Sequence, residues 1–231
     1  MSSAWIQELI HSLEEGRGSR WLKYLPLIVA VLGLVVLYDL RAYRGFSTVE
    51  AMDAAQVARN LSEGNGYTTD FIRPFSLYLV KKHNEKVHAE DLSLTNALDL
   101  AQVKGHHPDL ANAPAYPTLL AGFFKILTPN WKTENSKPFW SQGGHFLRYE
   151  AEFRIAILNQ ILLLGAVVLT FLIAKKLLDA TAAWLSAFLM LGMDLLWKFS
   201  ASGLSTMLLL LIFLGLIWCI VSVEEAARAA A

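Results

Sequence analysis

Two acidic residues, Glu50 and Asp53, lie three positions apart in a stretch whose polar residues recur at helical spacing. Gln56 and Asn60 continue the spacing from Asp53, so these side chains share one face of a helix. A carboxylate on such a face can take a proton from a substrate hydroxyl or amine and act as a general base. We therefore predict Glu50 and Asp53 as candidate catalytic residues.

Four arginines around these carboxylates have the chemistry to bind phosphate, because a guanidinium group can donate two parallel hydrogen bonds to one anion. The predicted phosphate-binding residues are Arg41, Arg44, Arg59 and Arg73. Two alternatives stay open. Arg41 and Arg44 can extend into lipid headgroups, and Arg59 can simply pair with Asp53 or Glu63.

Glu50 also has a structural interpretation, because Ser47 followed three positions later by Glu50 is the pattern of a capping box. The pattern predicts a helix over residues 48–62, which the turn residues 64–66 end. Residues 64–66 do not form a phosphate loop, since no strand-to-helix pattern or following Lys-Ser/Thr is present. Glu50 is thus either part of a helix cap or a base.

Metal, thiol and nucleic-acid chemistry are not expected from this sequence. His106, His107 and Asp109 come together beside a proline, but no standard zinc spacing is satisfied. The one cysteine, Cys219, lies in an apolar run and is interpreted as a small hydrophobic residue. The formal net charge is +0, so no basic field favours nucleic acid. We predict no metal, no cofactor and no nucleic-acid partner.

The elements that position these residues are predicted to be membrane helices. Hydrophobic residues make up 55% of the chain, more than the roughly 45–50% of soluble domains. Four runs have about the length that a helix needs to cross a bilayer. They are residues 24–40, 155–174, 180–197 and 204–223. The predicted fold class is all-α: a polytopic helical membrane protein with about four transmembrane helices and a long, partly helical external loop after the first.

Orientation follows from Lys175 and Lys176, which lie between the second and third runs, because short cytoplasmic loops are enriched in basic residues. This rule places both termini in the cytoplasm, and we expect the membrane to be a bacterial inner membrane. The predicted parts are a cytoplasmic or interfacial amphipathic helix within 1–23, a first span at 24–40, an external loop at 41–154, three spans within 155–223, and a cytoplasmic tail at 224–231. Within the loop, residues 116–127 are predicted to form a re-entrant or interfacial helix.

Polar residues within the spans are expected to face protein or a wet cavity rather than lipid. Asn159 and Gln160 lie in the second span, where interhelical hydrogen bonding is the simplest interpretation. Asp194 lies near the outer end of the third span, where exposure at the interface explains it equally well.

Two stretches of the loop resemble the GT-C membrane glycosyltransferases, which include protein O-mannosyltransferases and aminoarabinose transferases. The first reads acidic-x-x-x-x-Ala-x-x-Ala-Arg from Glu50 to Arg59 and continues into a Gly-containing turn and threonines at 64–69. The second is the Pro-rich stretch 112–117, which leads into a Tyr-Pro helix. In the family, a span ending in a basic turn usually follows, similar to residues 155–176.

The resemblance implies transfer of a sugar from a polyprenyl-phosphate donor to an acceptor on the external face, with a loop carboxylate acting on the acceptor. Glu50 matches the family's acidic residue. Asp53 is a displaced second candidate, because the family usually has an acidic pair where this chain has Glu50 and Ala51. Family members have more than twice as many spans, so the chain resembles an N-terminal portion only. The alternative is a non-catalytic membrane subunit of a larger complex. Expected partners are membrane lipid, the lipid-linked sugar and other membrane subunits.

Overall fold

The computed structural model describes residues 17–46, 48–70, 105–131 and 149–230, and Pro74, Tyr78, Lys82 and Lys86 singly; for residues 17–24 and 230 it describes the backbone alone. The described chain is mostly helical, in agreement with the predicted class. It divides into two compact units between Tyr43 and Arg44. The predicted amphipathic helix at the N-terminus, together with Ser47 and Arg73, lies outside the described residues.

The first unit contains one described helix, α1 (Arg17–Arg41), which includes the whole first apolar run. Most of its large apolar side chains are exposed, among them Leu25, Val29 and Leu40. A helix that is apolar all round suits a nonpolar surrounding better than water.

In the second unit, α2 (Val49–Glu63) is the helix that carries the candidate carboxylates. It starts one residue later than predicted. Thr48 is the N-cap residue, and its side chain makes no capping hydrogen bond. Glu50 therefore occupies the second helical position rather than the third position of the predicted capping box. The helix ends at Gly64, whose positive φ of 89° is the left-handed conformation that glycine adopts without strain, as the turn prediction required.

Two short strands follow, which the sequence analysis did not predict. β1 (Thr68–Thr69) pairs antiparallel with β2 (His107–Pro108), so that Thr69 lies opposite His107. α3 (Ala115–Ile126) comes next and matches the predicted short helix at 116–127. We call α2, the two strands and α3 the head.

Small residues along α2 let it pack closely against α3. Ala51, Ala54 and Ala58 recur at helical spacing and are buried against Leu120 and Phe124. Phe46, Tyr116, Ala121 and Ile155 complete this core cluster, so it extends from the head onto the next long helix.

The remaining helices form a bundle: α4 (Glu150–Leu177), α5 (Ala180–Gly192), α6 (Asp194–Ala201) and α7 (Thr206–Ala230). At one end, Lys176 Nζ lies 2.7 Å from Glu225 Oε2 and 3.1 Å from Ser222 Oγ, which joins α4 to α7. At the other end, the turn before α7 contacts the head, because Tyr116 Oη donates to the Gly203 carbonyl at 2.9 Å. The head and the basic end of α4, with Lys175 and Lys176, thus lie at opposite ends of the bundle.

The third apolar run is not one helix, unlike the expectation of a continuous span. α5 and α6 meet at Met193 with a bend of 56°. Met193 has extended backbone (φ −82°, ψ 102°), and it follows Gly192, a residue with low helix propensity. The Trp197 indole N–H donates to the Leu191 carbonyl at 2.7 Å, which satisfies one of the groups that the break leaves without a helical partner.

Within the described ranges, two helices are long and apolar enough to cross a membrane, α4 and α7, and the bent pair α5 and α6 adds a third if it acts as one span. Large apolar side chains stay exposed on α7, including Leu209, Phe213 and Leu216. These apolar helices therefore agree with the prediction of a membrane protein.

Candidate functional site

Asp53 lies on the inner side of α2 and is 1% exposed. Thr69 Oγ1 donates to Asp53 Oδ1 at 2.7 Å, and Asn112 Nδ2 donates to Asp53 Oδ2 at 2.9 Å. Each carboxylate oxygen therefore binds a separate part of the head, one on β1 and the other on the loop before α3. This arrangement compensates the burial of a charge, which is costly without hydrogen bonds.

The loop that supplies Asn112 is itself held by several hydrogen bonds. Asp109 accepts from the backbone N–H groups of Ala111 and Asn112, both at 3.1 Å. Tyr67 Oη donates to the Asn112 carbonyl at 2.8 Å. Burial and the nearby Asp109 charge raise the pKa of Tyr67, so its hydroxyl stays protonated and donates. Asn60 donates to the Thr68 carbonyl at 3.0 Å, which fixes the start of β1 on α2.

Glu50 lies on another side of α2, where its exposed carboxylate borders a cavity of about 160 Å³. It makes no hydrogen bond or ion pair with any other described residue, and it is the one charged residue among those that line the cavity. The polar wall includes Asn112 and Tyr116, and the apolar wall comes from the first turns of α7 with Leu208, Leu209 and Ile212. We call this the Glu50 cavity.

Arg59 borders a second and larger cavity, of about 280 Å³, which we call the Arg59 cavity. Its lining residues come from α2, from the segments just before α2 and just after α3, and from the start of α4. They are Phe46, Met52, Ala55, Gln56, Arg59, Trp131, Tyr149, Ala151, Glu152 and Ile155. Glu152 Oε2 accepts from the Phe46 N–H at 3.1 Å, which ties the segment before α2 to α4.

The Arg59 guanidinium has two contacts that set its orientation. Nε donates to Glu63 Oε1 at 2.9 Å, one turn further along α2, which is one of the pairings that the sequence left open. The guanidinium carbon lies 4.9 Å from the centre of the Trp131 ring, within the range of a cation–π contact. Trp131 in turn packs edge-on against Phe124, with ring centres 5.0 Å apart.

The two cavities lie on different sides of α2. The nine positions from Glu50 to Arg59 correspond to about two and a half helical turns, which places the two side chains on opposite faces. Arg59 is not among the residues that line the Glu50 cavity, and Glu50 is not among those that line the Arg59 cavity. Glu50 and Arg59, which were predicted to act at one site, thus border separate cavities.

The other predicted phosphate-binding arginines are not assembled into a cluster by the described residues. Arg41 ends α1 and belongs to the first unit, and Arg73 lies outside the described part of the chain. Arg44 is exposed at the start of the second unit, with no ion pair to another described residue.

The histidines considered for metal binding have other contacts. His106 Nδ1 lies 2.6 Å from Asp70 Oδ1 at an exposed site, and His107 is part of β2. Asp109 holds the loop described above. Among the described residues there is no group of three or more His, Cys, Asp or Glu placed to hold a metal.

Asn159 makes the interhelical hydrogen bonds expected of it. Its side-chain amide donates to Tyr116 Oη at 3.0 Å and to the Leu204 carbonyl at 3.3 Å, which joins α4 to α3 and to the turn before α7. Gln160 is also buried. Asp194 is exposed and pairs with Lys198 at 2.6 Å, in agreement with a position at a surface.

Three residues important for these cavities were not predicted as site residues: Asn112, Trp131 and Glu152. Asn112 was part of the Pro-rich stretch, but its contact with Asp53 spans 59 positions of sequence. Glu152 stands at the polar start of α4, where acidic residues are common at helix N-termini, so its type alone carries no signal.

Comparisons with family models, curated proteins and solved structures find no match. With no relative to supply roles for these residues, the chemistry of the two cavities depends on the side chains themselves. The Glu50 cavity combines an apolar wall and a carboxylate that no other residue within the described ranges bonds. The Arg59 cavity combines a cation, a carboxylate and an aromatic ring.

Proposed function

We propose that this chain is a polytopic membrane protein, and that it is a GT-C-like glycosyltransferase or the N-terminal part of one. It transfers a sugar from a polyprenyl-phosphate donor to an acceptor on the external face. One observation carries the proposal: Glu50, which has no bonded partner among the described residues, borders a cavity whose other wall is the apolar start of α7. A lipid-linked substrate needs both features, a polar reaction centre and an apolar path for its chain.

In the proposed reaction, Glu50 accepts the proton of the acceptor hydroxyl as that oxygen attacks the anomeric carbon of the sugar. A new carbon–oxygen bond forms, and the bond from the anomeric carbon to the phosphate oxygen breaks. Polyprenyl phosphate leaves with the bonding electrons. Asn112 also lines the cavity. Its amide nitrogen donates to Asp53 and Asp109, and its carbonyl oxygen can accept a hydrogen bond from a hydroxyl group of the acceptor or the sugar.

Of the two carboxylates, Glu50 is the better candidate for the base. Both oxygens of Asp53 accept hydrogen bonds from the head, and a buried carboxylate in that position has no open approach for a substrate. Asp53 is assigned to positioning, because it holds Asn112 where it borders the Glu50 cavity.

The arginines divide in a similar way. Arg41, Arg44 and Arg73 stay candidates for the donor phosphate. Arg59 leaves that set, because it borders the other cavity and pairs with Glu63.

The arrangement of the bundle supports the proposed membrane topology. Lys175 and Lys176 end α4 at the same end of the bundle as Glu225, while the head and both cavities lie at the opposite end. With the basic end in the cytoplasm, the head is on the external side of a bacterial inner membrane, and the chain has four spans with α1 as the first.

The test is an activity assay on the intact membrane assembly with a polyprenyl-phosphate sugar and a measured acceptor product. Glu50→Gln keeps the size of the side chain but cannot accept a proton, so we expect a loss of about a hundredfold or more with unchanged thermal stability. Glu63→Gln is the matched control on the same helix, and it should stay within about twofold of the wild type. Full activity of Glu50→Gln would exclude Glu50 as the base.

A second candidate function is a non-catalytic subunit of a larger membrane complex. It is favoured by the apolar face of α5, where Leu185, Phe188 and Leu189 are exposed and Trp184 stacks on Phe188 with ring centres 5.7 Å apart. Such a face suits packing against another membrane helix. The subunit is the better interpretation if Glu50→Gln and Asp53→Asn are both fully active in the assembly and the chain copurifies with other membrane subunits.

A further inference from the structure

The Arg59 cavity is lined by hydrogen-bond donors and acceptors that have no partner in the part of the chain that the structure describes. Nε of Arg59 is bonded to Glu63, but its two terminal nitrogens make no hydrogen bond with the described residues. Glu152 uses Oε2 for the Phe46 N–H, which leaves Oε1 as an acceptor. Gln56 donates Nε2 to Asp70 at 2.9 Å, which leaves its carbonyl oxygen as a further acceptor. The cavity therefore offers hydrogen-bond donors and acceptors together.

The charges around the cavity disfavour a simple ion as its ligand. Arg59 would repel a cation, and its ion-pair partner Glu63 is not among the residues that line the cavity. A second carboxylate, Glu152, lines the same cavity and would repel an anion. The Tyr149 hydroxyl adds no charge, because desolvation raises the pKa of Tyr149 above its usual range. A neutral ligand with several hydroxyl groups is compatible with all of these side chains.

The rest of the lining is apolar or aromatic and suits one face of a ring. Phe46, Met52 and Ile155 form the apolar part, and Trp131 stands beside Arg59 with its position fixed by the edge contact with Phe124. The volume of about 280 Å³ is at the lower limit of the roughly 300–1,000 Å³ of small-molecule sites. There is room for a small ring.

We propose that the Arg59 cavity is a binding site for a neutral saccharide unit, separate from the Glu50 cavity. Arg59 donates to ring hydroxyls, Glu152 Oε1 and Gln56 Oε1 accept from them, and the apolar lining covers the C–H face of the sugar. This site lies on the opposite side of α2 from Glu50, so it does not depend on the proposed glycosyl transfer.

The test is saturation-transfer NMR on the full chain, with the methyl glycosides of glucose, mannose and galactose as probes. The chain must be held in a detergent without a sugar headgroup, because an alkyl glycoside would occupy the site. At least one glycoside should bind. Arg59→Gln should weaken that binding about tenfold, because charge-assisted hydrogen bonds are lost. Gln56→Ala should weaken it less.

Three controls make the result specific. Glu63→Gln removes the ion pair outside the cavity lining and should bind within about threefold of the wild type. Glu50→Gln should bind as the wild type does, whatever its effect on sugar transfer, so failure of one proposal can be told from failure of the other. Thermal unfolding of each variant shows whether it is folded, and Arg59 and Gln56 are exposed enough to be replaced without loss of the core.

Two results would overturn the proposal. One is that none of the three glycosides binds the folded wild type, or that inorganic phosphate binds in their place, which would indicate an anion site. The other is glycoside binding that Arg59→Gln and Gln56→Ala leave unchanged. If dodecyl glucoside binds much more tightly than methyl glucoside, the natural ligand is a glycolipid headgroup; equal binding indicates a soluble saccharide.

Discussion

The inner and outer faces of α2 carry similar polar residues in different environments. On the inner face, Asp53 and Asn60 are buried and bonded to β1 and the loop before α3. On the outer faces, Glu50 and Arg59 border cavities and keep polar atoms to which no described residue bonds. Glu50 and Asp53 are both carboxylates in one helix, so residue type and spacing do not separate them. Their hydrogen-bond partners separate them: the carboxylate of Asp53 stabilises the fold, and the carboxylate of Glu50 is available for a ligand.

The largest effect is expected from removing the inner carboxylate. Asp53→Ala removes the hydrogen bond from the Thr69 hydroxyl and one of the two hydrogen bonds of the Asn112 amide, which also donates to Asp109. Each hydrogen bond to a charged group contributes about 1.5–3 kcal/mol. We expect the free energy of unfolding to fall by about 3–5 kcal/mol, measured by denaturant titration in mixed micelles. Glu50→Ala is the comparison on the outer face and should change it by less than about 0.5 kcal/mol. Equal effects of the two variants would remove the distinction between the faces.

An intermediate effect is expected at Gly203, where the head contacts the turn before α7. A Cβ atom there would lie 2.4 Å from Phe46 Cζ, and the φ of 78° is strained for any other residue. Strain and overpacking each cost about 1–3 kcal/mol, so Gly203→Ala should destabilise the protein by about 2–4 kcal/mol.

The matched control is Gly215→Ala in α7, where a Cβ meets nothing within 4 Å. In a helix this change should be neutral or slightly stabilising. A Gly203→Ala variant as stable as Gly215→Ala would mean that the Phe46 ring moves aside without cost.

The smallest effect is expected at the exposed ion pair of the outer face. Arg59 and Glu63 are one turn apart, and exposed pairs of this kind contribute about 0.3–0.5 kcal/mol. Glu63→Gln should therefore lower the free energy of unfolding by no more than that, and the loss should shrink further in high salt. A loss above about 1 kcal/mol would show that Glu63, like Asp53, makes a substantial contribution to the free energy of unfolding.

The parts that were predictable from the sequence are those with local signals. The polar spacing gave α2 to within a residue at each end, and Gly64 marked its end. The position of Arg59 opposite Glu50 also follows from their spacing. The break at Met193 was not predictable from hydropathy, because an apolar run has the same average whether its backbone is continuous or broken.

The roles of the site residues depend on contacts between distant parts of the chain. Asp53 meets Thr69 and Asn112 across 16 and 59 positions, and no local pattern encodes such pairs. The same holds for Glu152 and Phe46, which lie 106 positions apart. The sequence could therefore indicate Glu50 and Asp53 as candidate catalytic residues. Only the fold shows that Asp53 is hydrogen-bonded within the head and that Glu50 borders a cavity.

The contacts of Phe46 also determine the order in which the protein can be completed during translation. Its N–H binds Glu152, and its ring lies against Gly203, so both partners emerge from the ribosome long after Phe46 itself. Until residue 203 has been made, α2 and α3 can pair with each other and with the start of α4, but they lack their contacts with the turn before α7. A nascent chain stopped before that point would present Phe46 and Tyr116 partly uncovered, a state that quality-control proteases and chaperones can recognise.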